Sequence, residues 1–216
     1  MADGELFNYH RRMIARLIPL AALMLTGCLA GEKVRRGSDL REPDEAKRTF
    51  ASCPGADALA TATDVSWAPQ ASRLAEHRAL RTRMKIPLPE GASRILFWSS
   101  GTHHTSFDFS VIAVRDAQGR WRTSGIGEQG PGLPSIAPRP PLTLERDLSV
   151  DEGRALDRAL ADPCLYASPT FQRNPGIVAG GAIQTMEIET PQRRWTGSWA
   201  GIRTPQQASV VNLITE

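Results

Sequence analysis

Three cysteines and four histidines are all the soft metal ligands in this 216-residue chain, and no two cysteines stand in Cys-x-x-Cys spacing. That excludes a zinc ribbon and a dithiol redox motif. No Gly-x-Ser-x-Gly elbow is present, and Gly176-Ile177-Val178-Ala179-Gly180-Gly181 lacks the Lys-Ser/Thr that completes a phosphate loop. Aromatic residues are scarce, at 6%. Charge of one sign is scarce too. A dispersed net +3 gives no electrostatic footprint for nucleic acid. No apolar run reaches the roughly 20 residues that a membrane-spanning helix needs. Internal repeats, heptads and low-complexity tracts are also missing, and no motif fixes a reaction.

What is present begins at the N-terminus. Arg11, Arg12 and Arg16 precede an uncharged stretch from Leu17 to Gly31, interrupted by Pro19. A basic start, a short apolar core and small residues near its end form a secretion signal. Leu25-Thr26-Gly27-Cys28 resembles the lipobox of bacterial lipoproteins, in which an apolar residue and two small ones precede a cysteine. The resemblance covers the first 28 residues alone. It implies a diacylglyceryl group on the Cys28 sulfur, cleavage after Gly27, and acylation of the new amino terminus. Two or three acyl chains make a stable anchor where one makes a marginal one. By the same resemblance Leu29, in place of an Asp, directs the protein to the outer membrane on its periplasmic face.

The expected organisation is a signal peptide over 1–27, a flexible tether over 28–49 and one domain over 50–216. The tether is polar and charged without apolar period, from Gly31 to Glu45. Some 20 such residues reach roughly 25 Å on average. Cys53 and Cys164 are the remaining thiols. In an exported protein an isolated pair forms one disulfide, here pinning the start of the domain to its middle.

Hydrophobic periodicity predicts an α+β domain: an antiparallel sheet of about six strands with one or two helices packed on one face. Leu80–Leu88 alternates apolar with Arg81, Arg83 and Lys85, which predicts a strand with a basic outer face. A helix over Gln70–Arg81, with Pro69 at a first-turn position and a ragged apolar stripe, is read just before it. Further strands are predicted over Arg94–Trp98, Phe107–Val114 and Arg120–Ile126, as a meander turned at Asp116-Ala117-Gln118-Gly119. Residues 127–141 predict a long loop. Ser149-Val150-Asp151-Glu152 is a capping-box pattern opening a helix that stops at Asp162-Pro163. A hairpin of Ile183–Thr190 and Arg193–Ile202 turns at Pro191-Gln192, and Pro205 to Ile214 closes the chain as a helix or a last strand, the helix preferred. Trp98, Trp121, Trp195 and Trp199 are expected in the core.

The candidates for chemistry are few. His103 and His104 with Asp108 are a weak metal candidate, because adjacent strand residues point to opposite sides. Ser99, Ser100 or Ser106 with either histidine and Asp108 supply the residue types of a small periplasmic hydrolase in the Ser99–Asp108 loop. The carboxylate pair Asp151/Glu152 is explained by capping, and Glu187/Glu189 by a solvated strand face. The Arg81/Arg83/Lys85 face is a candidate contact for an anionic envelope polymer or lipid headgroup. The leading expectation is therefore a non-catalytic binding or scaffolding lipoprotein of the cell envelope, with no cofactor and no nucleic-acid partner. Its partners would be the membrane, through the lipid, and another envelope component. The alternatives are the hydrolase and an inhibitor or immunity-like protein.

Overall fold

The structure, a computed structural model, describes residues 43–62, 64–101, 107–129, 140–174, 176 and 181–216, all within the unit Gly37–Glu216. Cys28, the signal segment, His103, His104 and Ser106 lie outside the described residues. Among the described residues no helix is long and apolar enough to cross a membrane.

The chain opens with helix α1 (Pro43–Ala51), a 3-10 helix (Asp57–Thr61) and a short strand β1 (Asp64–Ser66). Helix α2 (Leu74–Arg83) follows, then four consecutive strands β2 (Ser93–Gly101), β3 (Phe107–Arg115), β4 (Trp121–Gln129) and β5 (Leu142–Asp147). Helices α3 (Val150–Ala161) and α4 (Pro163–Ala167) precede β6 (Phe171–Arg173), β7 (Ala182–Glu189) and β8 (Arg194–Ala200), and α5 (Pro205–Thr215) closes the chain. The strands form one sheet in the order β1-β6-β8-β7-β2-β3-β4-β5, antiparallel throughout except for β6 beside β8. The class is the expected α+β. The sheet has eight strands where about six were predicted, because β1, β5 and β6 carry too little alternation to show.

Local chemistry accounts for the elements. At α3, Glu152 N–H donates to the Ser149 hydroxyl at 3.3 Å, and the Glu152 carboxylate accepts from Ser149 N–H at 2.7 Å, completing the capping box. Thr204 and Gln207 repeat that device at α5, behind Pro205 in the first turn. The β3–β4 hairpin turns on Asp116, whose carboxylate accepts from Gln118 N–H and Arg120 N–H. Gly119 there has φ +81°, which a residue without Cβ adopts freely.

Residues alternate across the sheet. Ile95, Phe97, Val111, Ala113, Met186 and Ile188 face one side and pack with Leu156, Leu165, Val210, Val211 and Ile214 of α3, α4 and α5. Trp121, Trp195 and Trp199 lie in that core, as the sequence predicted. On the other side Leu96, Trp98, Ile112, Val114 and Ile126 pack against Leu74, Leu80 and the segment Met84–Leu88. Helices thus cover both faces, where one covered face was expected.

The predicted strand over Leu80–Leu88 is overturned, since residues 74–83 are helix α2. The residues it buries are His77, Leu80 and Arg81, spaced three and four apart as on one helical face. The helix ends in a Schellman motif: Ile86 N–H bonds Arg81 C=O at 2.9 Å and Lys85 N–H bonds Thr82 C=O at 3.2 Å. Lys85 holds the left-handed position at φ 56°, where glycine is usual. Met84, Ile86 and Leu88 do share an apolar face, in a turn and irregular chain that lie over the sheet without joining it.

Helix α1 occupies the last part of the segment predicted as a tether, residues 43–49. Its Phe50 packs with Cys53, Leu59, Ala167, Trp67 and Ile202 in a separate apolar cluster. Cys53 and Cys164 form the expected disulfide, across 111 residues of sequence, and fasten this cluster to α4.

Candidate functional site

The strongest polar constellation lies beneath α2. Arg81 is 1% exposed and His77 is fully buried, one turn apart on the helix face that meets the sheet. Ser110 of β3 and Ser124 of β4 point at them from below. Arg81 Nε donates to Ser110 Oγ at 3.0 Å. One terminal nitrogen donates to Ser124 Oγ at 3.0 Å and Pro87 O at 3.2 Å. The other donates to Ser124 O at 2.7 Å and Ser110 O at 3.3 Å. Five donors meet five acceptors, the full capacity of a guanidinium. Ser124 Oγ passes the chain to Glu145 at 3.2 Å. Burial lowers the Arg81 pKa to about 10, against a counter-pull from Glu145, so the group stays charged near neutrality.

His77 Nδ1 lies 2.7 Å from Ser110 Oγ. Ser110 Oγ thus accepts from Arg81 Nε and shares a hydrogen bond with His77 Nδ1, joining the two helix residues through one hydroxyl. Nε2 is buried with no hydrogen-bond partner among the described residues, and the ring stands edge-wise to Trp98 at 5.3 Å. Burial first, then the charges of Arg81 and Arg94, lower the His77 pKa to about 3. A serine, an imidazole and an ionised guanidinium are thus assembled, but Ser110 and His77 are fully buried. No substrate carbonyl reaches that oxygen. The constellation fixes α2 to the sheet.

The surface opens on the opposite face. Between β2, β3, β4 and β5 and the end of α5 lies a cleft of about 450 Å³. Phe97, Phe109 and Val111 rise from the sheet side, Leu142 and Leu144 from β5, and Val211 from α5. Gly125 and Gly127 of β4 line it too. A Cβ on Gly127 would stand 2.8 Å from the Phe109 ring, so the close seat of that ring on β4 requires glycine. Ser99, Gln184, Arg203 and Asn212 add polar groups to the lining. Gln184 is held by Trp199 Nε1–H, which donates to it at 2.7 Å. Arg203 lies over the Trp199 ring at 6.0 Å and has no carboxylate partner among the described residues. Among the described residues neither Asp nor Glu lines this cleft.

A second cleft, of about 520 Å³, lies on the α2 side near the β3–β4 hairpin. It holds Glu90, Asp116, Glu145 and Asp147 with Arg120 and Arg122. Arg120 pairs with Asp116 and Arg122 with Asp147, each at 2.9 Å, so much of its charge is met internally.

The other residues singled out in the sequence fall as follows. Arg81, Arg83 and Lys85 share no surface: Arg81 is interior, Arg83 pairs with Glu128 at 2.9 Å, and Lys85 stands at the helix end. The basic stripe is withdrawn, because helical geometry turns Arg81 inward. Glu187 and Glu189 are not a solvated pair, since buried Glu187 accepts from Arg73 N–H and Glu189 is bonded to Arg94. Ser99 and Ser100 face opposite sides of β2, and Ser100 donates to Asp108 at 2.7 Å. Among the described residues no three His, Cys, Asp or Glu side chains converge as metal ligands. The buried cluster was missed because Arg81 was read as an outward charge, although the spacing of His77 and Arg81 was its signal. No sequence pattern marks Arg203.

Comparison with known protein families, curated proteins and solved structures finds no match to this chain.

Proposed function

We propose that this protein is a lipid-anchored component of a bacterial cell envelope, held through Cys28 on the periplasmic face of the outer membrane. Its domain binds another envelope component at the cleft beside α5 and catalyses no reaction. The observation that carries the reading is a contrast of access. The Ser110–His77–Arg81 group is sealed under α2, whereas the open cleft offers aromatic and aliphatic surface with an arginine that no carboxylate among the described residues neutralises. An apolar concavity with a few converging polar groups is the usual form of a binding site. The lipobox sequence and the Cys53–Cys164 bond suit the same compartment.

Two measurements test this. Replacing Cys28 by Ala removes the acyl chains, and the protein is expected to leave the membrane fraction and lose the corresponding mass; unchanged pelleting and mass refute the anchor. A photo-crosslinking side chain in place of Thr215, at the cleft, is expected to trap an envelope component in intact cells. The same side chain in place of Gln118, at the exposed hairpin tip, is expected to trap none. Equal yields from the two positions refute the cleft as the binding surface.

A further inference from the structure

We infer that the cleft beside α5 takes a small amphiphile with one apolar body and one anionic head, a carboxylate or a phosphate. The inference deepens the binding reading above and rests on it. Three observations carry it. The volume, about 450 Å³, falls inside the roughly 300–1,000 Å³ range of small-molecule sites. The apolar lining comes from three strands and a helix: Phe97, Phe109, Val111, Leu142, Leu144 and Val211. Burying such surface against a second apolar body contributes about 25 cal/mol per Å².

The third observation is charge. Among the described residues Arg203 is the single ionisable one of the lining, and its contact there is the Trp199 ring rather than a carboxylate. A guanidinium whose contact is an aromatic face keeps its N–H donors available to an incoming oxyanion. Ser99, Gln184 and Asn212 add neutral groups without adding an acid. The cleft therefore favours an anion over a cation of the same apolar size. The second cleft provides the contrast, because its arginines already have their acids.

The test uses the full chain in phosphatidylcholine nanodiscs, with empty discs as the baseline and binding read by calorimetry and by tryptophan fluorescence. The probes are octanoate, octyl phosphate, octyltrimethylammonium and 1-octanol, with acetate and inorganic phosphate as headgroups lacking a tail. Octanoate, octyl phosphate or both are expected to bind at least tenfold tighter than octyltrimethylammonium, and the stronger of the two identifies the head. Acetate and inorganic phosphate are expected to give no signal at the same concentrations. Arg203→Gln is expected to weaken anion binding about tenfold, the loss of one charge-assisted contact, and to leave 1-octanol unchanged. Asn212→Trp, at an exposed position on the cleft, is expected to abolish binding of all four tailed probes.

Equal affinity for anion and cation overturns the inference, as does anion binding that both variants leave intact. If either variant fails to fold, the head-group comparison on the unaltered chain decides. Cross-linking from position 215 separates the two readings. Capture of a protein segment there, with no response to any tailed probe, leaves envelope binding standing and overturns the amphiphile. Absence of both overturns both.

Discussion

Arg81 uses every N–H it has inside the protein, and two of its acceptors are main-chain carbonyls of neighbouring strands. A lysine at that position keeps the charge but offers three donors from one point, so it cannot span Ser110, Ser124 and Pro87 together. Arg81→Lys is expected to cost about 3 kcal/mol, measured by urea unfolding with an unchanged denaturant slope. His77 gives the fold an acid limit. Unfolded, its imidazole takes a proton near pH 6.5; folded, it stays neutral down to about pH 3. Between those values the unfolded chain binds the extra proton, so stability falls as pH falls through that window. The full loss is on the order of 4–5 kcal/mol. His77→Gln, which keeps an acceptor for Ser110, is expected to flatten the stability profile between about pH 6.5 and 4.5. A profile of the same slope in both proteins assigns the acid sensitivity to other groups. Glu152 acts lower. Its hydrogen bonds from Ser149 and the Arg146 charge hold its carboxyl at about 2, so its contribution is lost only below the ordinary value of 4.5.

At the scale of elements, the end of α2 is where local sequence and tertiary structure disagree. Lys85 sits in a left-handed conformation that costs an L-residue roughly 1 kcal/mol. Lys85→Gly is therefore expected to raise stability by about 0.5–1 kcal/mol, read as a higher denaturant midpoint. No change would mean that Lys85 has a compensating contact. The same position explains what the sequence concealed. A glycine there would have announced a helix end; a lysine inside an apolar alternation announced a strand instead. Helix α3 was legible because Ser149 and Glu152 carry the capping chemistry themselves. The hairpin of β7 and β8 was legible because alternation and Pro191-Gln192 agree. Strand β5 was not, since it follows a proline-rich stretch, and Leu142, at 55% exposed, gives little hint of burial. Cleft residues escaped notice for a different reason. Phe97, Gly127, Leu144 and Arg203 come from separate elements, and only the sheet order brings them together.

For the whole molecule the disulfide matters most. It closes a loop of 111 residues, for which chain entropy gives about 4–5 kcal/mol. Reducing it, or replacing both cysteines by alanine, is expected to lower the melting temperature by roughly 10 °C. The main apolar core around Trp121 and Trp199 does not include Cys53, so the reduced protein is expected to retain its sheet and lose protection first in α1. Hydrogen exchange of α1 against β3 checks the order; simultaneous exposure of both would show that the cluster and the core open as one.

The covalent link between Cys53 and Cys164 also decides how the fold responds to being pulled. Tension arriving along the chain ahead of α1 can peel that helix, which precedes Cys53, but does not unravel the chain inward from there. It crosses the sulfur bridge and is delivered at α4, in the interior of the sequence, with α3 and the four-strand meander behind it. Reducing conditions would turn a shearing load into a peeling one.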